Sequence, residues 1–459
     1  MRMHRRKILN PFVLPVVLFA VTILAGTFVL CLPVSTAGEG IFWVDALFTA
    51  TSATCVTGLI VVDTGSFFSG FGQTMILVMI QLGGLGIMTY ASLIFYLWRK
   101  KISITDNIAL GQTLLHSHGF SLGKFLQKMV LTVVGLELIG AVVLYFLSPA
   151  EFSPFSALFH AVSAFCNAGF SLFSDSLVRF QDNLFVNLCF MILIVLGGLG
   201  FGVLLEVSGL YRPRFSRGRT GLRKTAHISW HSRIVLSTTL FLILFGWVAL
   251  ILTEPAGRVE GSEAGWGTHI LAGLFQSVTS RTAGFTTVDI GYMTNASLLI
   301  LILLMFIGGS PASCAGGIKT TTFRSILAFA WSSIKGRQQV VVDKFALDRE
   351  TVNKMLALVI FSLLLILSSV FLLLLVEGGG KPHPQAHGLF QDLLFECVSA
   401  FATVGLSTGL TPNLSTVGKC VLIILMFTGR LGLILFLSLL QSWQKTEHFS
   451  RAEDSLMVG

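Results

Sequence analysis

Four short segments of this chain share one pattern, and that pattern decides what the chain can fold into. They read LFTATSATCVTGL (47–59), LFHAVSAFCNAGF (158–170), LFQSVTSRTAGF (274–285) and LFECVSAFATVGL (394–406). Each begins Leu-Phe, has a Ser/Thr-rich middle and closes on glycine followed by Leu or Phe. The glycines, Gly58, Gly169, Gly284 and Gly405, recur about every 110 to 120 residues, a regular period that signals internal duplication. The third copy is one residue shorter between Phe275 and Gly284, so its loop is expected to differ slightly. A second echo follows each loop. Glycine pairs stand at Gly83-Gly84, Gly197-Gly198 and Gly308-Gly309, while the fourth copy reads FTGRLGLI, with Arg430 where the second glycine would be.

None of the four segments is long enough to cross a bilayer, which takes roughly 20 apolar residues. Their flanks are. Apolar stretches run near 12–33, 73–98, 125–148, 183–211, 233–253, 296–330, 355–376 and 417–442. With 54% hydrophobic and only 12% charged residues, the chain cannot be an ordinary soluble domain, which carries about 25% charge. Each copy is therefore a long span, a short segment and a second long span. A short helix at membrane depth is tolerated only where its backbone ends are buried in protein or line water. Every copy starts and ends on the same side, so the copies run parallel around one axis along the membrane normal. The expected fold is an all-α polytopic membrane protein of four parallel M1–P–M2 repeats, where M1 and M2 are the spans and P is the short helix. That makes eight transmembrane helices and four re-entrant pore helices around a central pore. The repeats divide as 1–110, 111–224, 225–345 and 346–445, with a cytoplasmic tail at 446–459.

The net charge of +9 has a matching explanation. Basic residues cluster at Arg5-Arg6-Lys7, Arg99-Lys100-Lys101, Arg212 to Lys224, Lys335 and Arg337, and Lys445 and Arg451. The alternate loops hold mostly Asp and Glu. By the positive-inside rule this sets both termini in the cytoplasm, with the first span retained, and leaves no case for nucleic-acid binding. The seven cysteines are scattered, without CxxC or a zinc-like His spacing, so neither a disulfide framework nor a metal cluster is indicated. Neither GxSxG, HExxH nor a paired-carboxylate spacing stands out, so no enzyme is expected.

A cation stripped of water needs oxygens that neither collapse on it nor hold it too tightly. Backbone carbonyls in an extended loop meet this, and glycine allows the dihedral angles that turn them inward. The expected filter is Val56, Thr57 and Gly58; Asn167, Ala168 and Gly169; Thr282, Ala283 and Gly284; and Thr403, Val404 and Gly405. Each short helix would aim its negative C-terminal end at the centre, and Asp45 suits the positive N-terminal end of the first. The stretch LLMFIGGSPASCAGGIKTTTF cannot stay a regular helix. Gly308, Gly309, Ser310, Ala312, Ser313, Ala315, Gly316 and Gly317 are expected to form an irregular gate across the pathway. Arg430, at the depth of the glycine pairs, must face the cavity or a partner; it reads either as a barrier anchoring that gate or as a structural arginine on helix C-termini. His160 and Glu396 hold matching places in their short helices and are expected to hydrogen-bond behind the filter. Glu137 reads either as a packing or stability partner or as an ion ligand, its place on an outer span favouring the first.

These motifs together resemble the Trk/Ktr/HKT superfamily of potassium transporters, and within it the Ktr-type membrane subunit. The resemblance rests on ALFTATSATCVTGLIVVDTG, ALFHAVSAFCNAGFSLFSD, FQSVTSRTAGFTTVDIG, ECVSAFATVGLSTGLTPNLS, GGIKTTTF and MFTGRLG, and covers nearly the whole chain. Trk-type subunits carry an extra N-terminal pair of spans, whereas the first loop here arrives near residue 50. The resemblance implies potassium uptake across the bacterial plasma membrane, commonly sodium-stimulated, by a homodimer with a pore in each protomer. It also implies a cytoplasmic octameric ring of RCK-domain subunits that bind nucleotide and control the gate. No GxGxxG after a strand occurs in this chain, so nucleotide would belong to the partner and no cofactor to the chain itself. The basic loop from Arg212 to Lys224 and the segment from Lys335 to Lys354 are candidate docking faces for such a ring or for anionic lipid. Members with serine at the first loop position tend to favour sodium, so Gly58 argues for potassium. Alternatives are a Trk-like or sodium-permeable transporter, or a membrane-embedded enzyme or receptor using Ser310, Ser313 and Cys314.

Overall fold

The computed structural model describes residues 13–85, 122–210, 228–255, 265–380, 382 and 385–431. The basic clusters at 5–7, 99–101, 212–224 and 445–451 lie outside these residues, as does the tail at 446–459. So do the distal halves of the stretches expected at 73–98 and 417–442.

Helices run in a recurring order. The first set is α1 (Val13–Leu30), α2 (Trp43–Thr54) and α3 (Gly70–Gly84). The second is α4 (Leu122–Leu147), α5 (Pro154–Phe165), α6 (Leu184–Leu199) and α7 (Phe201–Leu210). The third is α8 (Trp230–Thr253), α9 (Trp266–Thr279), α10 (Asn295–Phe306) and α11 (Thr320–Ile334). The fourth is α12 (Arg349–Glu377), α13 (Leu389–Ala402) and α14 (Thr416–Leu431). Their starts are written locally. The side chains of Ser69, Ser153, Asn183, Ser229, Thr294 and Asp348 each accept a backbone N–H three residues on, satisfying a donor the helix leaves unpaired. A small hairpin, β1 (Val341–Val342) with β2 (Phe345–Ala346), follows α11 and departs from the all-helical expectation. Asp343 at φ +54° makes its tight turn.

By length and composition, the stretches Gln127–Leu147, Trp230–Thr253 and Arg349–Glu377 can each cross a membrane. They expose apolar side chains outward, including Leu131, Phe146, Leu252 and Leu364. Exposed apolar surface on that scale calls for a lipid or protein neighbour. The short helices are the opposite. Phe48, Phe159, Phe275 and Phe395, the phenylalanines of the four Leu-Phe pairs, are completely buried.

Packing closes a ring. Each second helix touches the short helix of the following set. Thus α3 meets α5, α6 meets α9, α10 meets α13, and α14 returns to α2. Two expected spans are broken. The stretch read as continuous over 183–211 bends by 106° between α6 and α7. Gly200, at φ +89°, is the hinge, and the carbonyls of Gly197 and Gly198 that would continue the helix instead accept from the N–H groups of Cys314 and Ser310. The stretch near 296–330 splits into α10 and α11 around residues 308–317, as its glycines and Pro311 dictate.

Candidate functional site

The four Gly-terminated turns share one backbone shape. Val56, Asn167, Thr282 and Thr403 all hold positive φ, between 52° and 78°. Two residues on, Gly58, Gly169, Gly284 and Gly405 do so again, between 70° and 95°. Positive φ is uncommon for a valine or threonine, and the same rare conformation at four matching positions marks a shape that the surroundings impose.

The turns meet one another in cyclic order. A Cβ added to Gly58 would lie 2.5 Å from the Ala168 carbonyl oxygen, and one on Gly169 would lie 2.9 Å from that of Ala283. One on Gly284 would lie 2.6 Å from that of Val404, and one on Gly405 would lie 2.1 Å from that of Thr57. No side chain fits at any of the four. The circuit 58, 169, 284, 405 and back to 58 sets these glycines and the residues before them, Thr57, Ala168, Ala283 and Val404, against one another, at the C-terminal ends of four short helices. Carbonyl oxygens and the negative C-terminal ends of four short helices gathered in this way suit a cation.

A hydroxyl braces each of these turns, a set that inspection of the glycines alone misses. Ser52 Oγ donates to the Leu59 carbonyl (2.7 Å), and Ser163 Oγ to that of Phe170 (2.8 Å). Thr279 Oγ1 donates to the Phe285 carbonyl (2.7 Å), while Ser399 Oγ accepts from the Gly405 N–H (3.1 Å). The signal was present in the sequence as a Ser or Thr five or six residues before each glycine. The shorter third copy is accommodated at the helix end. There the Ala283 N–H reaches the Thr279 carbonyl four residues back, whereas Thr57, Ala168 and Val404 reach five back.

Behind the ring, the residue after the buried phenylalanine bonds to the outgoing loop in the second and fourth sets. His160 donates from Nδ1 to the Ser156 carbonyl (2.7 Å), and its Nε2 accepts from the Leu172 N–H (3.2 Å). Glu396 accepts from the Ser407 and Thr411 hydroxyls and from the Thr408 N–H. Both are wholly buried. Thr49 turns back to the Asp45 carbonyl, and Gln276 has no hydrogen-bond partner for either amide atom.

The segment from Gly308 to Gly317 is an irregular excursion, pinned at its base where Ile307 pairs with Ile318. At one side it rests on the Gly200 break, with the Phe201 N–H donating to the Ala312 carbonyl (3.1 Å). At the other it touches the fourth turn, since a Cβ on Gly316 would lie 2.2 Å from Thr403 Oγ1. Ser313 Oγ donates to the Ser310 carbonyl (2.6 Å) and Lys319 Nζ to that of Ala315 (2.6 Å). Arg430 is buried and donates to two carbonyls, that of Cys314 in this segment and that of Gly83 at the end of α3. Arg430 thus holds a helix C-terminus and the irregular segment at once.

Arg281 was not singled out by sequence reasoning. It directly precedes Thr282, is buried, and donates to the carbonyls of Gly308 (3.2 Å) and Thr239 (3.4 Å). It thus ties the third turn to the start of the irregular segment. Glu137, on α4, is buried and accepts from the Cys166 thiol (3.6 Å), beside the second turn. The glycine pairs serve close approach. A Cβ on Gly83, Gly197 or Gly429 would lie within 2 Å of the carbonyl oxygen of Thr54, Phe165 or Phe401 respectively, at the end of a short helix. Gly308 differs, for it packs against Gly316 of its own excursion. Among the described residues, no group of three or more His, Cys, Asp or Glu side chains could hold a metal ion.

The chain is similar to known proteins over nearly its whole length. The profile of the TrkH family, described as cation transport protein, matches residues 19–443. The chain is 38% identical over 433 residues to the Ktr system potassium uptake protein B of Bacillus subtilis, covering 94% of this chain and 92% of that protein. It is 35% identical over 469 residues to the potassium/sodium uptake protein NtpJ of Enterococcus hirae, covering 100% of this chain and 99% of that one. In fold it is similar to the crystal structure of the potassium transporter TrkH from Vibrio parahaemolyticus, with a TM-score of 0.70 at 19% identity. That match covers 95% of this chain and 86% of the other.

Proposed function

This chain belongs to the TrkH family of cation transport proteins, and from that premise we propose that it is the potassium-translocating membrane subunit of a Ktr-type uptake system. It is a transporter and not an enzyme. The observation that carries the proposal is the ring in which Gly58, Gly169, Gly284 and Gly405 each abut the next turn's carbonyl. In this reading the twelve turn residues from Val56 to Gly405 are the filter. The four helix sets are M1–P–M2 repeats bounded near 110, 224 and 345, in eight spans with both termini cytoplasmic. The excursion from Gly308 to Gly317, with Arg430, is the gate.

The name of the Bacillus subtilis relative points to a multi-component system, and the chain fits as the membrane part of one. Its partners would be a second copy of itself and a cytoplasmic ring of RCK-domain subunits, which would hold the nucleotide. Potassium is the substrate, and sodium is a candidate activating ion. The decisive experiment is growth rescue of a potassium-uptake-deficient bacterium at low external potassium, with rubidium flux measured alongside. No rescue and no flux from the inserted chain with its ring partner overturns the reading.

One observation favours a second reading, sodium permeation, because the relative from Enterococcus hirae is named for both ions. Flux in liposomes with potassium and sodium gradients imposed separately distinguishes the two.

A further inference from the structure

A cavity of about 240 Å³ lies between α8, α9 and the loop after the third turn, apart from the glycine ring. It has room for roughly eight waters at the ~30 Å³ each occupies in the liquid. Gln276 lines it. In the second and fourth sets the residue at this register, His160 or Glu396, is bonded to its own outgoing loop. In the third, Gln276 is 1% exposed and neither its Oε1 nor its Nε2 has a hydrogen-bond partner. A buried amide left so is costly, and the structure supplies a space beside it instead of a neighbour.

The rest of the lining gives that space a sign. Glu254 and Asp289 both line it together with His269, and no lysine or arginine among the described residues does. Glu254 commits Oε2 to Thr294 and Ser297, and Asp289 commits Oδ1 to the Gly291 N–H. Tyr292 contributes an aromatic face, and Leu250 and Val288 supply apolar wall. A bare metal ion finds no cluster of ligands here. Two carboxylates, an amide, an aromatic ring and apolar surface are instead the set that holds an alkylated ammonium, whose charge is spread and whose methyl groups want apolar contact.

We propose that this cavity is a binding site for a small organic ammonium ion, separate from the glycine ring. Gln276 and the carboxylates of Glu254 and Asp289 fix the cationic head, and Tyr292 packs against it.

Choline is the probe, with its uncharged carbon analogue dimethylbutanol as control, and calorimetry on the full chain in lipid nanodiscs is the measurement. Choline is expected to bind at about 1 mM, the strength of a small ligand with few contacts, and the analogue about tenfold more weakly or not at all. Asp289→Asn, at an exposed position, and Gln276→Leu should each weaken choline by about tenfold. If Gln276→Leu fails to fold, Asp289→Asn with Glu254→Gln carries the same test. Choline binding should persist in high potassium and in Gly405→Ser. The proposal is overturned if choline does not bind, if the analogue binds equally, or if the cavity variants leave binding unchanged. Competition by potassium would place the choline at the ring and overturn it equally.

Discussion

Lys419 Nζ lies 2.6 Å from Asp45 Oδ1, joining the last described helix to the first turn of the first short helix across 374 residues of sequence. The pair is the electrostatic seam of the ring, where α14 returns to α2. Asp45 also sits at the positive end of its helix, so two favourable terms act on one carboxylate.

Breaking this seam should loosen the ring without touching the turns. The side chains are 14% and 21% exposed, between a solvated pair and a buried one. Lys419→Ala or Asp45→Asn should therefore cost more than the ~1 kcal/mol of a surface pair and less than the ~3–5 kcal/mol of a buried one. A double-mutant cycle on thermal unfolding of the purified protein measures the coupling. Additive effects of the two substitutions would mean that the contact contributes nothing.

The glycine ring predicts a graded response to added side chains. Gly405 has φ +91° and a Cβ there would lie 2.1 Å from the Thr57 carbonyl oxygen, so Gly405→Ser must displace a neighbouring turn. Strain of about 1–3 kcal/mol at such a position corresponds to roughly a tenfold or larger rise in the KM for rubidium uptake, with stronger competition by sodium. Gly70→Ser is the control, because a Cβ there meets nothing within 4 Å. Unchanged cation competition in Gly405→Ser would remove the fourth turn from the filter.

Glu396 predicts a different kind of loss. Its carboxylate accepts from Ser407, Thr408 and Thr411, all in the loop leaving the fourth turn. Glu396→Gln replaces an acceptor oxygen with an NH₂ donor. One buried hydroxyl is then left unsatisfied, at a cost of about 1–3 kcal/mol. Thermal stability should fall by that amount and uptake should fall with it. A variant as stable as the parent would mean that water or rotation replaces the lost acceptor.

Much of this arrangement was legible in the sequence because it is periodic. The Leu-Phe pairs, the terminal glycines and the broken stretch at 308–317 each repeat, or fail to repeat, on a scale that composition makes visible. What stayed hidden is what depends on partners far away in the chain. Nothing local marks Gly200 as a break; it becomes one because Ser310 and Cys314 take the carbonyls that would continue the helix. Arg281 read as part of a loop motif, and only the fold brings it to Gly308. The hairpin at 341–346 is too short to leave a periodic trace, and only the fold shows that Gln276, unlike His160 and Glu396, lacks a hydrogen-bond partner.

Arg430 allows the sharpest test of gating. It donates to Cys314 in the irregular segment and to Gly83 at the end of α3, so it both buries a charge beside the segment and fastens the segment there. Arg430→Ala removes both effects and should raise rubidium flux, measured without the cytoplasmic partner, by about tenfold, the factor that ~1.4 kcal/mol of lost barrier gives. Arg430→Lys keeps the charge but loses the planar fork that reaches two carbonyls at once. If charge alone makes the barrier, Lys should stay as closed as the parent; if fastening matters, it should fall between parent and Ala. The geometry favours the intermediate result. Deleting Ser310 to Gly316 removes the segment itself and should raise flux at least as far. Low flux in both the deletion and Arg430→Ala, at normal expression and normal thermal stability, would leave the segment as packing and return Arg430 to the role of a helix cap.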